Sequence, residues 1–490
     1  MSEPASFAAT EAPAGPRPRP GDELELRVDS LAFGGEGVAR VGEGGYVVFV
    51  AGAIPGDRVR ALVYKGKRSH AHARTLEVLA PSPERIPPLA DHPGVPWQVL
   101  PYERQLEVKR AQVDEALRRI GGLDGFELGE ALPAVEQWRY RNKLEYSFGS
   151  ARDEDGREQL VCGFHAAAGA GRVVALEDCL LASARGNRAR ELALGWCRAR
   201  RLEAWERGRP ARGERLSGSR AVAPGADGRA RLRNLVVREG RRSGQLQVRV
   251  VTTEGELDAS ALAATLAEGL EGSLSGVLWT RSDRLAETTA GGHTQLVWGE
   301  AELPERLGEL ELCISAEAFF QTNTEMAEQL YGVVAEYAAL EGWERVYDLF
   351  CGTGTIALTL APRAGEVWGI ELLEPAVADA IAAAQRNEIT NARFFAGEVR
   401  RALPELLERA GRPDVLVLDP PRAGLSKSIV RRVIEASPRR IVYVSCNPTT
   451  LAPNAAELVA AGYSLLRVRP VDMFPQTHHI ECVALLERAG

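Results

Sequence analysis

The sequence predicts an α/β protein in three parts, and three observations support this prediction. After Ala316 apolar strands alternate with helices, which is typical of a parallel sheet in a Rossmann-like domain. Between residues 21 and 79 five short strands are interrupted by glycines, which indicates a small closed β-barrel. Strand-like stretches dominate the region between these two. The predicted parts are a barrel over residues 21–80, a central and mostly β domain over 81–315, and the Rossmann-like domain over 316–490.

The bulk composition is that of a globular protein inside the cell. With 490 residues, of which 45% are hydrophobic, the chain can form several domains with proper cores. Residues 1–20, rich in Ala and Pro, lack the apolar stretch of a signal peptide and are expected to be disordered. No apolar run is long enough for a transmembrane helix, so no membrane partner is expected. Seven cysteines without paired spacing favour a reducing, cytoplasmic location.

The charge distribution indicates a polyphosphate partner. The formal net charge is −7, which alone argues against nucleic acid. Residues 185–249, however, hold 18 Arg and no Lys against 6 acidic residues, a local surplus of 18 − 6 = 12. Such a surplus is the usual footprint of a nucleic-acid surface. The alternative is a merely solvated region, and residues 207–231, rich in Arg and Gly, are predicted to be a mobile loop.

The predicted barrel carries a basic rim. Its loop between the fourth and fifth strands contains Lys65, Lys67, Arg68, His70 and His72, and OB-like barrels direct such rims towards RNA. The predicted strands cover residues 23–28, 37–41, 46–50, 57–63 and 71–78.

A linker and one helix lead into the central domain. Residues 81–101 contain seven prolines and are predicted to be irregular. Residues 102–120 repeat apolar side chains at helical spacing and predict one amphipathic helix. The predicted central strands cover residues 144–148, 161–164, 235–238, 246–251 and 277–280, and their topology does not follow from the sequence.

A glycine turn follows the first strand of the Rossmann-like domain. Residues 348–355 read DLFCGTGT, and Gly352 and Gly354 allow backbone N–H groups to approach a ligand. Glu371 closes the next strand, where a carboxylate can bind ribose hydroxyls. Because the third glycine of a dinucleotide fingerprint is missing, a nucleoside cofactor without pyrophosphate, such as S-adenosylmethionine, is favoured over a dinucleotide. A simple tight turn is the alternative, and the carboxylate after the second strand argues against it. The strands predicted for this domain cover residues 345–348, 366–370, 415–418, 440–444 and 482–486, with a helix over 375–387.

Three further residues predict the chemistry. Asp419, before two prolines and Arg422, ends a buried strand and can face the crevice at the strand ends, although a plain turn is the alternative. Cys446 follows another buried strand, and a thiolate there could add to C6 of a uracil. That addition makes C5 nucleophilic enough to take a methyl group. The C5 proton must then leave, and Glu481 is the predicted base.

The remaining cysteines and histidines predict no further chemistry. His478 and His479 have no accompanying ligands in the sequence, so no metal site is expected. The other cysteines that the sequence places in cores are Cys162, Cys197, Cys313, Cys351 and Cys482.

These stretches together resemble the RNA uracil-5 methyltransferase family, and the subgroup acting on large-subunit (23S) ribosomal RNA (RumA/RlmD-like) is the most similar. Residues 21–79 resemble its TRAM domain, an RNA-binding barrel, and residues 140–143 and 232–235 resemble its central-domain signatures. Residues 319–323, FFQTN, resemble the segment that contacts the cofactor. The resemblance implies a class I methyltransferase domain, on which the helix from Tyr102 packs. It also implies Cys446 as nucleophile, Glu481 as base, and an S-adenosylmethionine site lined by Gln321, Phe350, Thr355, Glu371, Glu398 and Asp419.

One departure from that subgroup concerns an iron–sulfur cluster. Relatives carry three cysteines before the helix and a fourth later, whereas residues 88–98 contain none and only Cys179 remains. Because such clusters need four ligands, no cluster is expected. The predicted enzyme is a monomer that converts a uridine of large-subunit rRNA to 5-methyluridine. The alternatives are the same chemistry on a tRNA T-loop uridine, which the TRAM-like barrel disfavours, and a catalytically inert RNA-binding assembly factor.

Overall fold

The structure is a computed structural model that describes residues 17–42, 45–153, 155–166, 172–205, 227–284 and 288–488. Most of the predicted tail (1–20) and of the predicted loop (207–231) lies outside these ranges. The chain divides into two compact units. The first comprises residues 1–108, 166–171 and 476–478, and the second comprises the rest.

The first unit contains the predicted barrel. Its five strands close in the order β1-β2-β3-β5-β4, with β1 and β4 pairing antiparallel. Alternate residues point inward, so that side chains such as Val28, Val48 and Val59 are almost completely buried. The closed barrel confirms the prediction from the sequence. The strands are β1 (Glu23–Leu31), β2 (Gly37–Val41), β3 (Tyr46–Ala51), β4 (Arg58–Gly66) and β5 (His70–Ala80).

The predicted helix over residues 102–120 is α-helical only in its first three-quarters. Helix α1 (Tyr102–Glu115) widens into a π-helical turn over Ala116–Ile120, and Gly121 N–H donates to the Ala116 carbonyl at 3.2 Å. A short strand, β6 (Glu127–Leu128), follows. Near the middle of α1 the fully buried Lys109 ammonium binds the Asp472 carboxylate at 2.5 Å. This ion pair joins the helix to a segment 363 residues later in the chain.

We expect Lys109→Ala to lower the free energy of unfolding by about 3–5 kcal/mol, because it leaves Asp472 buried without its cation. The measurement is the shift of the urea unfolding transition. Arg118→Ala is the matched control, since Arg118 and Asp114 near the end of this helix are 41% and 38% exposed and their ion pair should contribute little. Equal shifts for the two variants would contradict the prediction.

The central domain is a seven-stranded mixed sheet in the order β13-β12-β11-β10-β7-β8-β9, and two helices accompany it. Only β11 and β12 pair in parallel. The sequence analysis missed both helices, because Arg interrupts the apolar pattern of one and Ala dominates the other. The elements are β7 (Lys143–Arg152), β8 (Glu158–His165), β9 (Val173–Ala175), α2 (Ala184–Ala199), β10 (Leu232–Glu239), β11 (Leu246–Thr252), α3 (Ala259–Gly269), β12 (Leu274–Arg281) and β13 (His293–Gly299).

A hairpin of β14 (Glu302–Leu307) and β15 (Leu310–Ser315) leads into the Rossmann-like domain. Its eight-stranded sheet has the order β18-β17-β16-β19-β20-β22-β21-β6. The first five strands in this order, β18, β17, β16, β19 and β20, are parallel to one another. The elements are α4 (Thr324–Ala338), β16 (Arg345–Leu349), α5 (Thr355–Leu360), a 3₁₀ turn (Ala361–Arg363), β17 (Glu366–Glu371), α6 (Glu374–Arg386), β18 (Ala392–Ala396), α7 (Val399–Ala410), β19 (Val415–Leu418), α8 (Lys427–Ala436), β20 (Arg440–Ser445), α9 (Pro448–Ala460), β21 (Tyr463–Val471) and β22 (Glu481–Arg488).

This topology brings the predicted site residues to one edge of the sheet. The parallel strands β16 to β20 all end there, and the antiparallel strand β22 begins there. Open α/β sheets bind ligands outside the carboxyl ends of their parallel strands.

Candidate active site

The glycine turn after β16, residues 350–354, forms a concave surface, called the cradle below, that is closely packed at Gly354 and open at Gly352. Phe350, Gly352 and Gly354 all have positive φ angles, of 66°, 54° and 77°. At Gly354 an added Cβ would lie 2.9 Å or less from Phe394 and Ala380, so only glycine fits there. At Gly352 an added Cβ would meet open space. The turn is therefore packed against the protein on one side and free to receive a ligand on the other.

The carboxyl groups of Glu371 and Asp348 border this cradle. The Glu371 carboxylate accepts hydrogen bonds from Gly352 N–H at 3.1 Å and Leu373 N–H at 2.9 Å. Asp348 is fully buried, and its Oδ2 accepts from Ala357 N–H at 3.0 Å. Its Oδ1 is buried without a hydrogen-bond partner in the part of the chain that the structure describes.

Asp348 has a strongly raised pKa, first because it is buried and then because the Asp419 carboxylate lies near. Two desolvated carboxyl groups with a free acceptor oxygen favour a cationic ligand. S-adenosylmethionine, which carries an ammonium and a sulfonium group, fits this charge and the open side of Gly352. Asp348 was not predicted from the sequence as a cofactor residue, although it begins the glycine-turn motif.

Thr355 and Gln321 are fixed beside the cradle by helix α4. The Thr355 hydroxyl lies 3.0 Å from that of Tyr331 on α4. Gln321 is 8% exposed, and Asn323 next to it caps α4 by accepting from Met326 N–H at 3.2 Å. The helix thus connects the predicted cofactor segment to the glycine turn.

Glu398 follows β18 at the same edge but is exposed. Its carboxylate pairs with Arg400 at 3.1 Å and Arg401 at 3.4 Å, and the Arg400 hydrogen bond lowers its pKa. Its predicted contact with the cofactor stays a prediction.

Cys446 and Glu481 meet where β20 and β22 pair. Ser445 at the end of β20 is the register partner of Cys482 in the antiparallel strand β22. Cys446, which follows Ser445, therefore lies opposite Glu481, which precedes Cys482. Burial raises the pKa of the Cys446 thiol to about 11, helped by the carboxylates of Glu481 and Asp419. The thiol is partly exposed, whereas Glu481 is 5% exposed. The base candidate is therefore buried beside an accessible thiol.

Asp419 and Arg422 complete the cluster. Burial raises the pKa of Asp419 to about 7, although part of the residue remains accessible. Burial and then the Asp419 charge raise the pKa of Glu481 well above its usual range. Arg422 lowers the pKa of both Cys446 and Glu481. Its carbonyl accepts from the Asn447 side chain at 3.2 Å, which ties its turn to the one after Cys446.

We expect Arg422→Gln to slow alkylation of Cys446 by iodoacetamide at pH 8, because losing the cation raises the thiol pKa and lowers the thiolate fraction. Alkylation increases as pH rises through the thiol pKa, so its pH profile should move to higher pH. Peptide mass spectrometry as a function of pH measures this. Arg400→Gln, whose cation serves Glu398, is the control. Superimposable profiles for Arg422→Gln and wild type would contradict the prediction.

The other predicted core thiols are mostly buried. Cys162, Cys197, Cys351 and Cys482 are buried, but Cys313 is partly exposed, because it lies on the two-stranded hairpin, so its assignment to a core was wrong. Within the described ranges no three His, Cys, Asp or Glu residues are grouped so that they could hold a metal ion. In those same ranges no helix is both long and apolar enough to cross a bilayer.

Comparison with family models identifies two regions. Residues 308–489 match the tRNA (uracil-5-)-methyltransferase model, and residues 17–76 match the TRAM domain.

Whole-chain relatives carry a consistent name. A Chlorobaculum tepidum protein named an uncharacterized RNA methyltransferase is 36% identical over 96% of this chain and 98% of its own length. A protein of the same name from Thermosynechococcus vestitus is 36% identical over 95% and 98%.

A solved structure matches over almost the whole chain. The Pyrococcus abyssi tRNA (uracil-54, C5)-methyltransferase, in complex with S-adenosyl-L-homocysteine, is 25% identical, with a TM-score of 0.72. The match covers 94% of this chain and 100% of that one.

Proposed function

The chain belongs to the S-adenosylmethionine-dependent RNA methyltransferases of the tRNA (uracil-5-)-methyltransferase family, and we propose that it methylates C5 of a uridine in RNA to give 5-methyluridine. The observation that supports this reaction is that Cys446 and Glu481 lie next to the last register pair of β20 and β22, at the sheet edge that carries the glycine turn. A partly exposed nucleophile beside a buried base suits a pyrimidine that must be activated at C6 and deprotonated at C5.

Residues around the glycine turn would hold the cofactor. We assign the cofactor site to Gln321, Phe350, Gly352, Gly354, Thr355, Glu371, Glu398 and Asp419, and we add Asp348 because of its free buried oxygen. When bound, S-adenosylmethionine supplies an electrophilic methyl group on a positively charged sulfur.

Cys446 would act first. The thiolate forms a bond to C6, and the C5=C6 electrons move onto the C4 carbonyl, so that C5 becomes an enolate carbon able to take the methyl group. Before this step the thiol's own proton passes to water, because Cys446 is partly exposed. The raised pKa of Cys446 disfavours the loss of this proton, and the positive charge of Arg422 lowers that pKa. The cluster therefore holds a protected thiol whose reactivity depends on nearby positive charge.

Glu481 would act last. It removes the C5 proton, the C5=C6 double bond re-forms, and the bond between Cys446 and C6 breaks to return the thiolate. A carboxylate with a raised pKa is a stronger base than an exposed one, although a smaller fraction of it is ionised at a given pH. Its burial thus suits proton abstraction from carbon.

The barrel offers a surface for the RNA. Phe49, Tyr64, His70 and His72 form a ring cluster with centroid separations of 5.2–6.1 Å. Exposed basic residues lie beside this cluster, Lys65 near the end of β4 and Lys67 and Arg68 in the loop between β4 and β5. All five basic-rim residues were predicted from the sequence to lie in that loop, whereas Lys65, His70 and His72 lie on the two strands. Rings next to cations suit stacked bases and phosphates of single-stranded RNA. A uridine in folded RNA would have to be flipped out to reach Cys446.

We propose large-subunit (23S) rRNA as the substrate, because the sequence motifs most resemble the rRNA-modifying subgroup. A tRNA uridine is the second candidate. It is supported by the match to the P. abyssi tRNA enzyme, which covers 94% of this chain. The TRAM-like barrel argues for rRNA only by contrast with bacterial T-loop enzymes, so the choice between the two RNAs is made by experiment. Since all seven cysteines are free thiols, we also propose a cytoplasmic location.

The decisive experiment is methyl transfer from labelled S-adenosylmethionine to unmodified 23S rRNA and tRNA transcripts, with the labelled nucleotide mapped. We expect 5-methyluridine in 23S rRNA. Label in tRNA alone would keep the chemistry and overturn the substrate. Label on another base would overturn the chemistry, and no label in either RNA would favour an inert RNA-binding factor.

A further inference from the structure

Two segments of the chain carry the residues assigned to cofactor binding and to proton abstraction. The cofactor segment is residues 321–324, which begins with Gln321. The base segment is residues 472–475, which precedes Glu481. Both are irregular or lie at a helix end, and the base segment makes only two backbone hydrogen bonds through its N–H groups, from Asp472 to Leu132 and from Met473 to Val471, within the described residues. Side chains from elsewhere in the chain hold both.

Three consecutive carbonyl groups of the base segment, those of residues 473–475, each accept a hydrogen bond from a side chain. The three donors come from the cap of α4, from α1 and from the central domain, and all three residues are buried. Asn323 donates to the carbonyl of residue 473 at 3.0 Å, Lys109 to that of residue 474 at 3.1 Å, and Tyr140 to that of residue 475 at 3.1 Å.

The cofactor segment is held by the residue two places after Tyr140. The Asn142 side-chain amide donates to the Gln321 carbonyl at 2.8 Å and to the Thr324 hydroxyl at 2.9 Å. Its backbone N–H donates to the Thr322 carbonyl at 2.9 Å. Asn142 is 3% exposed, so water does not compete for these bonds.

The turn that carries both residues is itself fixed to the central domain. Arg139 adopts a positive φ of 55°, and its N–H donates to the Leu180 carbonyl at 2.8 Å. Arg141 N–H donates to the Leu181 carbonyl at 3.1 Å, and the Arg139 guanidinium pairs with Asp178 at 2.5 Å. The turn over residues 139–142 is therefore a rigid support.

We propose that this turn positions both halves of the active site: Tyr140 aligns Glu481 through the base segment, and Asn142 aligns Gln321 through the cofactor segment. The inference rests on the proposed function. Both are positioning residues, since neither touches a reacting atom. Burial raises the pKa of Tyr140 to about 12, so its hydroxyl remains a donor throughout the neutral range. A shift of about 1 Å at a reacting group can cost on the order of 100-fold in rate.

Tyr140→Phe removes only the hydroxyl and leaves the ring in its core. We expect kcat for methyl transfer to fall about 10- to 100-fold, with the KM for RNA unchanged. Because a displaced Glu481 delays the last step, a denaturation-resistant protein–RNA adduct should accumulate. A deuterium isotope effect from [5-²H]uridine RNA should also increase.

The matched control is Tyr146→Phe. Tyr146 is equally buried in the central sheet, and its ring packs against Phe164 at 5.3 Å. We expect no adduct and no change in isotope effect for this variant. If Tyr140→Phe lowers only the melting temperature, with kcat per active site and isotope effect as in wild type, its role is structural and the proposal is wrong.

Asn142→Ala tests the other half of the turn without requiring turnover. We expect S-adenosylhomocysteine to bind about tenfold more weakly by calorimetry, the effect of roughly one lost buried hydrogen bond on positioning. Asn234→Ala is the control, because the Asn234 amide bonds within the central sheet, to the Tyr146 carbonyl at 3.3 Å. Unchanged affinity for Asn142→Ala would overturn this half of the proposal. A wild-type protein that binds the cofactor product but methylates no RNA would instead contradict the proposed function.

Discussion

Cys446→Ala is expected to abolish methyl transfer while leaving S-adenosylhomocysteine binding intact. Uracil C5 is too weak a nucleophile to take a methyl group unless a thiolate first adds to C6. The rate should therefore fall on the order of 10⁴- to 10⁶-fold, as when an enzyme loses its nucleophile. The rate is measured as methyl transfer to transcript RNA, and the binding of S-adenosylhomocysteine is measured by calorimetry.

Cys313→Ala is the control, because Cys313 is a partly exposed thiol on the hairpin before the Rossmann-like domain. It should retain wild-type turnover. RNA containing 5-fluorouridine gives an independent readout. Fluorine at C5 cannot leave as a proton does, so wild type should form a stable adduct and Cys446→Ala should form none. Turnover by Cys446→Ala near the wild-type rate would show that another group activates the base.

The sequence predicted that Cys446 and Glu481 lie at one edge of the sheet, because the ends of strands can be recognised from the local sequence pattern. Cys446 and Glu481 each adjoin an apolar stretch, and such stretches become neighbouring strands whose ends share one edge. The five barrel strands were equally readable, since inward and outward residues alternate along them. Local patterns of this kind need no knowledge of distant contacts.

Other features depend on contacts between distant residues, and the sequence did not predict them. The edge strand β6 is two residues long and joins the sheet only through β21. The order of the central sheet depends on pairings that carry no local signal. Tyr140 and Asn142 could be recognised as part of a family signature, but their partners lie 335 and 179 residues away. The unpaired oxygen of Asp348 is likewise visible only once the surrounding core is built.

Glu481→Gln should leave the first steps intact and block the last one. The amide is isosteric with the carboxylic acid but cannot accept the C5 proton, so we expect kcat to fall about 10²- to 10⁴-fold. Methylated RNA should remain bonded to Cys446 and appear as a denaturation-resistant adduct. Gel electrophoresis with labelled cofactor measures the adduct, and labelled product release measures turnover.

Glu344→Gln is the control for loss of a buried carboxylate. Glu344 is fully buried just before β16 and accepts backbone hydrogen bonds from Glu341 and Gly342. Its variant should form no lasting adduct. Normal turnover by Glu481→Gln would mean that another group is the base. Absence of both turnover and adduct would place Glu481 earlier in the reaction, as the group that receives the Cys446 proton. Among the neighbouring charges, the Glu481 carboxylate has the largest effect on the pKa of that thiol.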